Sequence, residues 1–135
     1  MALDTSVFVY HLEAHPKYLP LTRLIFAWLE QPGHRGVTST ITMTELLVKP
    51  YRDGDQTGVD ECFGLLSRFP NLEWVPLSLD ISDEAARIRA QSRLKTPDAI
   101  EAATAIYCGV SGFLTNDIVY RRVSKLDILP LDVCL

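Results

Sequence analysis

Short apolar runs alternate with segments of helical periodicity along this chain of 135 residues. Such alternation is typical of βαβ units, in which a helix carries the chain back so that the next strand runs parallel to the first. The predicted strands cover residues 2–3, 36–39, 72–77, 112–115 and 128–133. Together with about six helices, they predict a three-layer α/β/α sandwich around a central, mainly parallel sheet of about five strands.

The predicted helices are bounded by capping residues and prolines. Apolar residues recur at helical spacing in 21–30, and the other predicted helices cover residues 6–12, 40–49, 58–69, 81–92 and 98–108. Pro50 is expected to end the third helix, because proline lacks the N–H that an interior position needs. Thr96 is expected to cap the last helix, with Pro97 in its first turn.

The composition favours one folded domain over residues 1–135. Because 47% of the residues are hydrophobic and 22% are charged, the chain can build a core and is unlike a disordered protein. No apolar stretch approaches the roughly 18 residues that a membrane span needs, and no signal segment opens the chain. The three cysteines are far apart and form no CxxC pair, which indicates a reducing, cytoplasmic setting.

The formal net charge of −4 argues against a protein that binds nucleic acid through an excess of Lys and Arg. An acidic protein can still hold a phosphodiester when divalent cations stand between its carboxylates and the phosphate. The positions of the acids along the chain therefore decide between these two kinds of protein.

Two acids follow predicted strands directly. Asp4 comes after the first strand, and Asp117 comes after the fourth. In open α/β sheets, ligands bind at the carboxyl edge, where such residues lie. Each position also has a purely structural explanation, because Asp4 is a good helix cap and Asn116-Asp117 is an ordinary turn pair.

Three more acids lie on predicted helices. Glu45 shares a helix face with Ile41 and Val48. If that face is buried, the carboxylate needs a partner, because an unpaired charge is costly to bury. The simpler explanation is that this face of the helix is partly exposed. Asp98 lies in a first turn, where the helix dipole favours an acid and keeps it charged, as a metal ligand must be. Glu101, one turn further on, either adds negative charge behind the ligands or faces solvent.

Asp4, Asp98 and Asp117 are expected to converge on one crevice, because strand ends and helix N-termini meet at one edge of a parallel sheet. Glu45 is expected to project into the same crevice from a nearby helix. Four crowded carboxylates repel one another and stay ionised together only beside cations. Since Mg²⁺ and Mn²⁺ prefer oxygen ligands, the sequence predicts a site for one of these ions.

Four segments carry a resemblance to a known family. They are LDTS at 3–6, TELL at 44–47, TPDAIEAATA at 96–105 and LTND at 114–117. In this order and at this spacing, they resemble a PIN-domain ribonuclease, and specifically a VapC-like toxin of a type II toxin–antitoxin pair. The resemblance covers almost the whole chain. Val119 stands where many relatives carry a second acid, and Tyr120 retains the aromatic residue that often follows.

The resemblance implies a single PIN-like domain that hydrolyses RNA phosphodiester bonds with Mg²⁺ or Mn²⁺. Its catalytic and metal-binding acids map onto Asp4, Glu45, Asp98 and Asp117. The residues expected to support them are Thr5, Ser6, Glu101 and Asn116. The resemblance also implies a homodimer and a cognate antitoxin protein, a segment of which enters the same groove.

Basic residues near the predicted crevice are candidates for guiding the RNA backbone. The candidates are Arg93, Lys95, Arg121 and Arg122. Lys and Arg at such positions are also common at solvated helix ends, so charge reversal at Arg121 and Arg122 is the direct test of their role.

Two other interpretations stay open. One is a PIN scaffold that binds RNA or a protein partner without cutting RNA. The other is a receiver-type phosphoacceptor domain, which is also a five-stranded α/β sandwich but usually has paired acids near its first strand, where Asp4 stands alone. A Mn²⁺ titration combined with an RNA cleavage assay distinguishes these interpretations from a nuclease.

Overall fold

The structure is a computed structural model that describes residues 1–110 and 112–134. Five strands form one sheet: β1 (Ala2–Leu3), β2 (Gly36–Ser39), β3 (Leu72–Val75), β4 (Phe113–Thr115) and β5 (Ile128–Pro130). The strand order is β3-β2-β1-β4-β5, and each neighbouring pair is parallel. The predicted parallel sheet of five strands is confirmed, and β1 lies at its centre.

Six α-helices join the strands, as predicted: α1 (Thr5–Leu12), α2 (Leu19–Glu30), α3 (Thr40–Arg52), α4 (Gln56–Ser67), α5 (Leu79–Ser92) and α6 (Thr96–Tyr107). Two short 3₁₀ helices cover Ile118–Arg122 and Leu131–Cys134. Side chains cap several of these helices by accepting a first-turn amide, as Ser39 does for α3, Asp55 for α4 and Ser78 for α5.

The two faces of the sheet bury separate apolar cores. Because side chains alternate along a strand, neighbouring residues point to opposite faces. Ala2 and Phe113 belong to a core shared with α5 and α6, whereas Leu3 and Leu114 belong to a core shared with α1 and α2. Helices therefore cover both faces of the sheet, which is the expected α/β/α arrangement.

Helix α6 lies close to the sheet because the residues on its inner face are small. Ala99, Ala102 and Ala103 are completely buried there. This close approach brings the first turn of α6, which contains Asp98, next to the end of β1 and the following residue Asp4. The alanines thus determine where one of the predicted acids lies.

The prediction that Pro50 ends the third helix is wrong, because α3 continues through Pro50 to Arg52. Pro50 donates no amide hydrogen bond, but the carbonyls of Lys49 and Pro50 accept from the amides of Asp53 and Asp55. These bonds hold the final turn together although one hydrogen bond is missing.

Several helix and strand ends differ from the prediction by one or two residues, among them both ends of α4 and the starts of α2 and α5. Three further differences concern the cap of α6 and the ends of β3 and the last strand. The predicted Thr96 cap is wrong, because α6 begins at Thr96 and Lys95 occupies the cap position without a side-chain bond. Strand β3 stops at Val75, before Pro76, which has no N–H to extend the ladder. The last strand ends at Pro130, and a 3₁₀ helix replaces its predicted end.

Two of the three cysteines, Cys62 and Cys108, are free thiols and half-buried. The side chain of Cys134 lies outside the described part of the structure. Across residues 1–110 and 112–134, no helix has the length and apolar character needed to cross a membrane.

Candidate metal centre

Asp4 lies where β1 ends and α1 begins, at the middle of the carboxyl edge of the sheet. The residue is only 7% exposed, and each of its carboxylate oxygens accepts two hydrogen bonds. Oδ1 accepts from the Thr5 amide at 2.8 Å and from the Tyr120 hydroxyl at 3.2 Å. Oδ2 accepts from the hydroxyls of Ser6 at 3.0 Å and Thr115 at 2.7 Å. Asp4 therefore caps α1 and also lies at the edge where ligands bind to such sheets.

Asp98 is half-buried in the first turn of α6. Its Oδ1 atom lies 3.3 Å from the hydroxyl of Tyr120, the same hydroxyl that contacts Oδ1 of Asp4. The two carboxylates therefore lie within two hydrogen-bond lengths of each other, although they are far apart in the sequence. This is the convergence expected for these two acids.

Tyr120 is the residue of this site whose role the sequence analysis missed. It is completely buried, and its ring packs on Phe113 with the ring centroids 4.6 Å apart. Burial, followed by the charges of Asp4 and Asp98, raises the pKa of its phenol far above the usual range, so the hydroxyl keeps its proton. The aromatic character of this position was visible in the sequence, but the direction of the hydroxyl depends on residues from two distant elements.

Glu45 projects from α3 into the cleft and is exposed. The hydroxyl of Thr5, next to Asp4, donates to Oε1 of Glu45 at 2.9 Å. Thr5 therefore links the start of α1 to α3 and places the carboxylate of Glu45 beside the end of β1.

Glu101 is a fifth acid of the cleft, and it is buried with only 3% of its surface exposed. Its Oε1 atom accepts from the hydroxyl of Thr42 at 2.6 Å and lies 3.4 Å from the hydroxyl of Thr5. The Thr42 hydroxyl also contacts that of Thr38 at 3.0 Å, so a chain of hydroxyls runs from Glu101 into the sheet. The interpretation that Glu101 faces solvent is wrong, because its carboxylate lies behind that of Glu45 and shares Thr5 with it.

Asp117 lies at the rim of the cleft and is exposed. It caps the first 3₁₀ helix by accepting from the amide of Val119 at 3.0 Å, and its own amide donates to Thr115 at 3.0 Å. Its charge helps to raise the pKa of Asp98, so the two carboxylates interact. Asp117 is thus both a turn residue and a neighbour of the buried acids.

Asn116 points away from the acids. Its amide nitrogen donates to the hydroxyl of Tyr18 at 2.8 Å, and its oxygen accepts from the amide of Asp132 at 3.4 Å. Asn116 therefore connects the end of β4 to the residue that precedes α2 and to the second 3₁₀ helix. Ser6, the other small polar candidate, bonds Asp4 as described above.

Among the described residues, the acids of the cleft are crowded and form no salt bridge, although the charge of nearby Lys95 lowers the pKa of Asp98 and so opposes part of its rise. Burial is the main cause that raises the pKa values of Asp4, Glu45, Asp98 and Glu101, and neighbouring carboxylates raise those of the last three further. The ion pairs between described residues all involve other acids. Such a cluster of perturbed acids in a cleft is a candidate functional site.

The donors of the cleft suit a hard divalent cation, because all of them are carboxylate or hydroxyl oxygens. As the side chains stand, no group of three or more His, Cys, Asp and Glu residues among the described ones is arranged to hold an ion. Mg²⁺, however, usually keeps several waters and takes only one or two carboxylates from the protein. The pair of Asp4 and Asp98 fits this mode of binding, with Glu45 and Asp117 nearby.

The family model of the PIN domain matches residues 1–126 of the sequence. The chain belongs to the PIN domain family. A search of curated proteins gives no significant match. Family membership favours the PIN interpretation over a receiver-type domain, and the four segments that carried the resemblance all lie within the matched region.

Solved structures with similar folds come from several bacteria. A toxin–antitoxin complex from Klebsiella pneumoniae is 21% identical over 96% of both chains, with a TM-score of 0.72. VapBC-1 from nontypeable Haemophilus influenzae is 18% identical over 97% of both chains, with a TM-score of 0.75. VapBC2 from Rickettsia felis, bound to a DNA fragment from its promoter, is 19% identical over 96% of both chains, with a TM-score of 0.68. At these identities the similarity establishes the fold.

The basic candidates of this PIN domain lie on one side of the acidic cleft. Arg93 directly follows α5, and Lys95 precedes α6, three residues before Asp98. Arg121 and Arg122 belong to the first 3₁₀ helix, and Nη1 of Arg122 lies 3.5 Å from the carbonyl of Ser92. This contact brings the 3₁₀ helix against the end of α5, and all four cations are exposed. We call these four residues the basic rim.

A groove of about 380 Å³ lies beside Glu45, between α1, α3 and α4 of the PIN domain. Its apolar lining includes Val9, Leu12, Leu46 and Leu65. Charged residues also line it, among them Glu45 itself and the ion pair of Lys49 and Glu13 at 3.5 Å. The acidic cleft therefore continues into an apolar groove at Glu45.

Proposed function

We propose that this PIN domain is a metal-dependent endoribonuclease that hydrolyses RNA phosphodiester bonds, and that it is the toxin of a toxin–antitoxin pair. The observation that carries the proposal is the cluster of five acids at the carboxyl edge of the sheet, without a Lys or Arg partner among the described ion pairs. Such a cluster requires protons or cations to balance its charge. A phosphodiester is the substrate that a cation held in this way can bind next.

Asp4 and Asp98 would hold Mg²⁺ or Mn²⁺, and Glu45 and Asp117 would contribute directly or through water. When bound, such an ion lowers the pKa of water and stabilises negative charge that develops on phosphoryl oxygens. The protein supplies the orientation of its ligands. Asp4 is fixed by donors from Thr5, Ser6, Thr115 and Tyr120, so its carboxylate loses little conformational freedom on binding.

Glu45 and Glu101 have different roles in this proposal. Glu45 is exposed to the cleft and can reach an ion or an attacking water. Glu101 is buried, and it shares the Thr5 hydroxyl with Glu45, so it acts through that hydroxyl on the orientation of Glu45. Asn116 supports the fold around Asp117 through Tyr18 and does not bond the acids.

The RNA backbone would lie along the basic rim. Arg93, Lys95, Arg121 and Arg122 are exposed on the side of the cleft where Asp98 and Asp117 lie. Phosphate contacts of this kind position a nucleic acid without reading its sequence. Such contacts would allow a chain with net charge −4 to bind RNA, because these four cations would face the phosphates while a bound metal ion would screen the acids.

We further propose that the chain is one PIN-like domain that works in the cytoplasm, as a homodimer, beside a cognate antitoxin protein. The similar structures from Klebsiella and Haemophilus are toxin–antitoxin and VapBC complexes, which supports a protein partner of this kind. The groove beside Glu45 offers an apolar surface next to the acids, where a partner segment would block access to them.

An RNA cleavage assay with Mn²⁺ tests the proposed activity. Asp4→Asn and Asp98→Asn should abolish cleavage, because each removes a negative charge from the pair that would hold the ion. Asp53→Asn, which changes an exposed acid at the end of α3, is the matched control and should cleave normally. Full activity in Asp98→Asn, or full activity after removal of divalent ions by EDTA, would contradict the proposal. RNA binding without cleavage by the unmodified protein would identify a silent scaffold instead.

A further inference from the structure

The Tyr120 hydroxyl lies between two carboxylates that belong to different elements. It is 3.2 Å from Oδ1 of Asp4 after β1 and 3.3 Å from Oδ1 of Asp98 in α6. A phenol has one proton, so at any moment it can donate to only one of these two oxygens. The hydroxyl therefore has two equivalent acceptors within reach, and its ring is held in place by complete burial against Phe113.

Asp4 accepts four hydrogen bonds, and the one from the Tyr120 hydroxyl differs from the other three. A carboxylate offers about four acceptor positions. Donors from Thr5, Ser6 and Thr115 fill three of those of Asp4, and Tyr120 fills the fourth whenever its proton points to Asp4 and not to Asp98. The contact with Tyr120 is the longest of the four. It is also the only one of the four whose donor has a second carboxylate, Asp98, as an alternative acceptor. The position occupied by Tyr120 is thus the one that Asp4 can give up most easily to another ligand.

We propose that the Tyr120 hydroxyl is a positioning group that sets the spacing of Asp4 and Asp98 for a divalent cation. This inference rests on the proposed function. Without an ion, the shared proton holds the two carboxylates near each other despite their repulsion. With a cation bound by the pair, the Tyr120 hydroxyl would still have one carboxylate of the two to donate to, and it would continue to orient that carboxylate.

Tyr120→Phe isolates this role, because phenylalanine keeps the ring that packs on Phe113 and removes only the hydroxyl. Loss of a hydrogen-bond partner behind a metal ligand typically weakens metal binding about 10–100-fold. We expect the dissociation constant for Mn²⁺ to rise by at least about tenfold in Tyr120→Phe. Tyr107→Phe is the matched control, since Tyr107 is 58% exposed at the far end of α6 and should bind Mn²⁺ like the unmodified protein.

Mn²⁺ binding is measured by electron paramagnetic resonance, in which the free ion gives the signal, and requires no RNA or catalytic turnover. Thermal unfolding without metal is measured alongside for each variant. A purely structural role of the hydroxyl would lower the unfolding temperature of Tyr120→Phe and leave the Mn²⁺ dissociation constant of the folded protein unchanged. That result, or tighter binding in Tyr120→Phe, overturns the proposal.

Mn²⁺ binding by the unmodified protein, Asp98→Asn and Tyr120→Phe distinguishes a wrong role for Tyr120 from a wrong proposed function. In one outcome, the unmodified protein binds Mn²⁺, Asp98→Asn binds it much more weakly, and Tyr120→Phe binds it with an unchanged dissociation constant. That outcome refutes only the role of Tyr120. If the unmodified protein binds no Mn²⁺, the metal-dependent function and the role of Tyr120 are both refuted.

A second measurement requires no variant at position 120. In protein labelled with fluorotyrosine at its five tyrosines, Mg²⁺ should shift the fluorine resonance of the buried Tyr120 and leave those of exposed Tyr51 and Tyr107 in place. An unchanged Tyr120 resonance at saturating Mg²⁺ would contradict the proposed exchange of its hydrogen bond.

Discussion

Replacing Glu101 by glutamine should make the metal-free protein more stable at neutral pH. Glu101 is 3% exposed, and its pKa is raised well above the usual value, first by burial and then by the charges of Asp4 and Glu45. Glutamine has nearly the same shape and keeps an oxygen that can accept from Thr42, but it carries no charge. The variant therefore removes the cost of ionising this buried group and preserves its packing.

The size of the stability gain in Glu101→Gln depends on pH. Below the unfolded-state pKa of a glutamate, about 4.3, the side chain is neutral in both states and the variant should differ little from the unmodified protein. Because the folded pKa is raised, the folded protein loses stability as the pH rises from that value through the folded pKa. At pH values above the folded pKa, each unit by which burial raises the pKa lowers the free energy of unfolding by about 1.4 kcal/mol. For a domain of this length, one unit moves the unfolding midpoint by roughly 4–8 °C.

The assay is thermal unfolding in EDTA at a series of pH values from about 4 to 8, which spans the range in which a buried carboxyl titrates. The midpoint of Glu101→Gln should rise above that of the unmodified protein as the pH increases. Glu61→Gln, which makes the same change at an exposed position on α4, should follow the unmodified protein throughout. Added Mn²⁺ should reduce the advantage of Glu101→Gln, because a bound cation stabilises the unmodified acid cluster by binding only the folded state.

A lower midpoint for Glu101→Gln at neutral pH would refute this reasoning. It would show that the negative charge of Glu101 contributes more to the hydrogen bonds with Thr42 and Thr5 than its burial costs. An equal increase of the unfolding midpoint in Glu61→Gln would also refute the reasoning. The higher midpoint would then come from the lower total negative charge of the protein and not from the burial of Glu101.

Two further predictions concern the RNA rim and the packing of α6. Charge reversal at Arg121 and Arg122 should weaken RNA binding and reduce its dependence on salt, as measured by fluorescence anisotropy at several salt concentrations; an unchanged salt slope would remove both residues from the RNA path. Ala103→Leu should destabilise the protein by about 1–3 kcal/mol in denaturant unfolding, because Ala103 is completely buried between α6 and the sheet. A cost near zero would show that α6 can move away from the sheet.

The sheet and the position of Asp4 were predictable because they depend on local patterns. An apolar run of only two residues, followed by an acid and a helical segment, was enough to place Asp4 at the end of β1. Its neighbours in space, such as Thr115, follow from the parallel pairing of β1 with β4. Local patterns also indicated Asp98, because an acid after Thr96-Pro97 marks the start of a helix.

Glu101 and Tyr120 show what local patterns could not predict. Helical spacing places Glu101 one turn after Asp98, but whether that face meets solvent or α3 depends on packing between distant segments. The direction of the Tyr120 hydroxyl likewise depends on the end of β1 and the start of α6 together. Pro50 is a different case, because the rule that proline ends a helix fails in a last turn whose other hydrogen bonds survive.

The placement of the acids explains how the protein tolerates them before any cation binds. Asp4 caps α1, Asp98 lies in the first turn of α6 and Asp117 caps the first 3₁₀ helix, so all three lie at helix N-termini. Unpaired amides and the helix dipole stabilise negative charge at such positions, typically by 0.3–1 kcal/mol each. This compensation is incomplete, since the pKa values of Asp4 and Asp98 are still raised by burial. Glu45 and Glu101 lie outside first turns and receive no such stabilisation. The charge that the backbone leaves unbalanced therefore lies where α3 faces α6, and a cation held by Asp4 and Asp98 would balance it from beside Thr5, which contacts both glutamates.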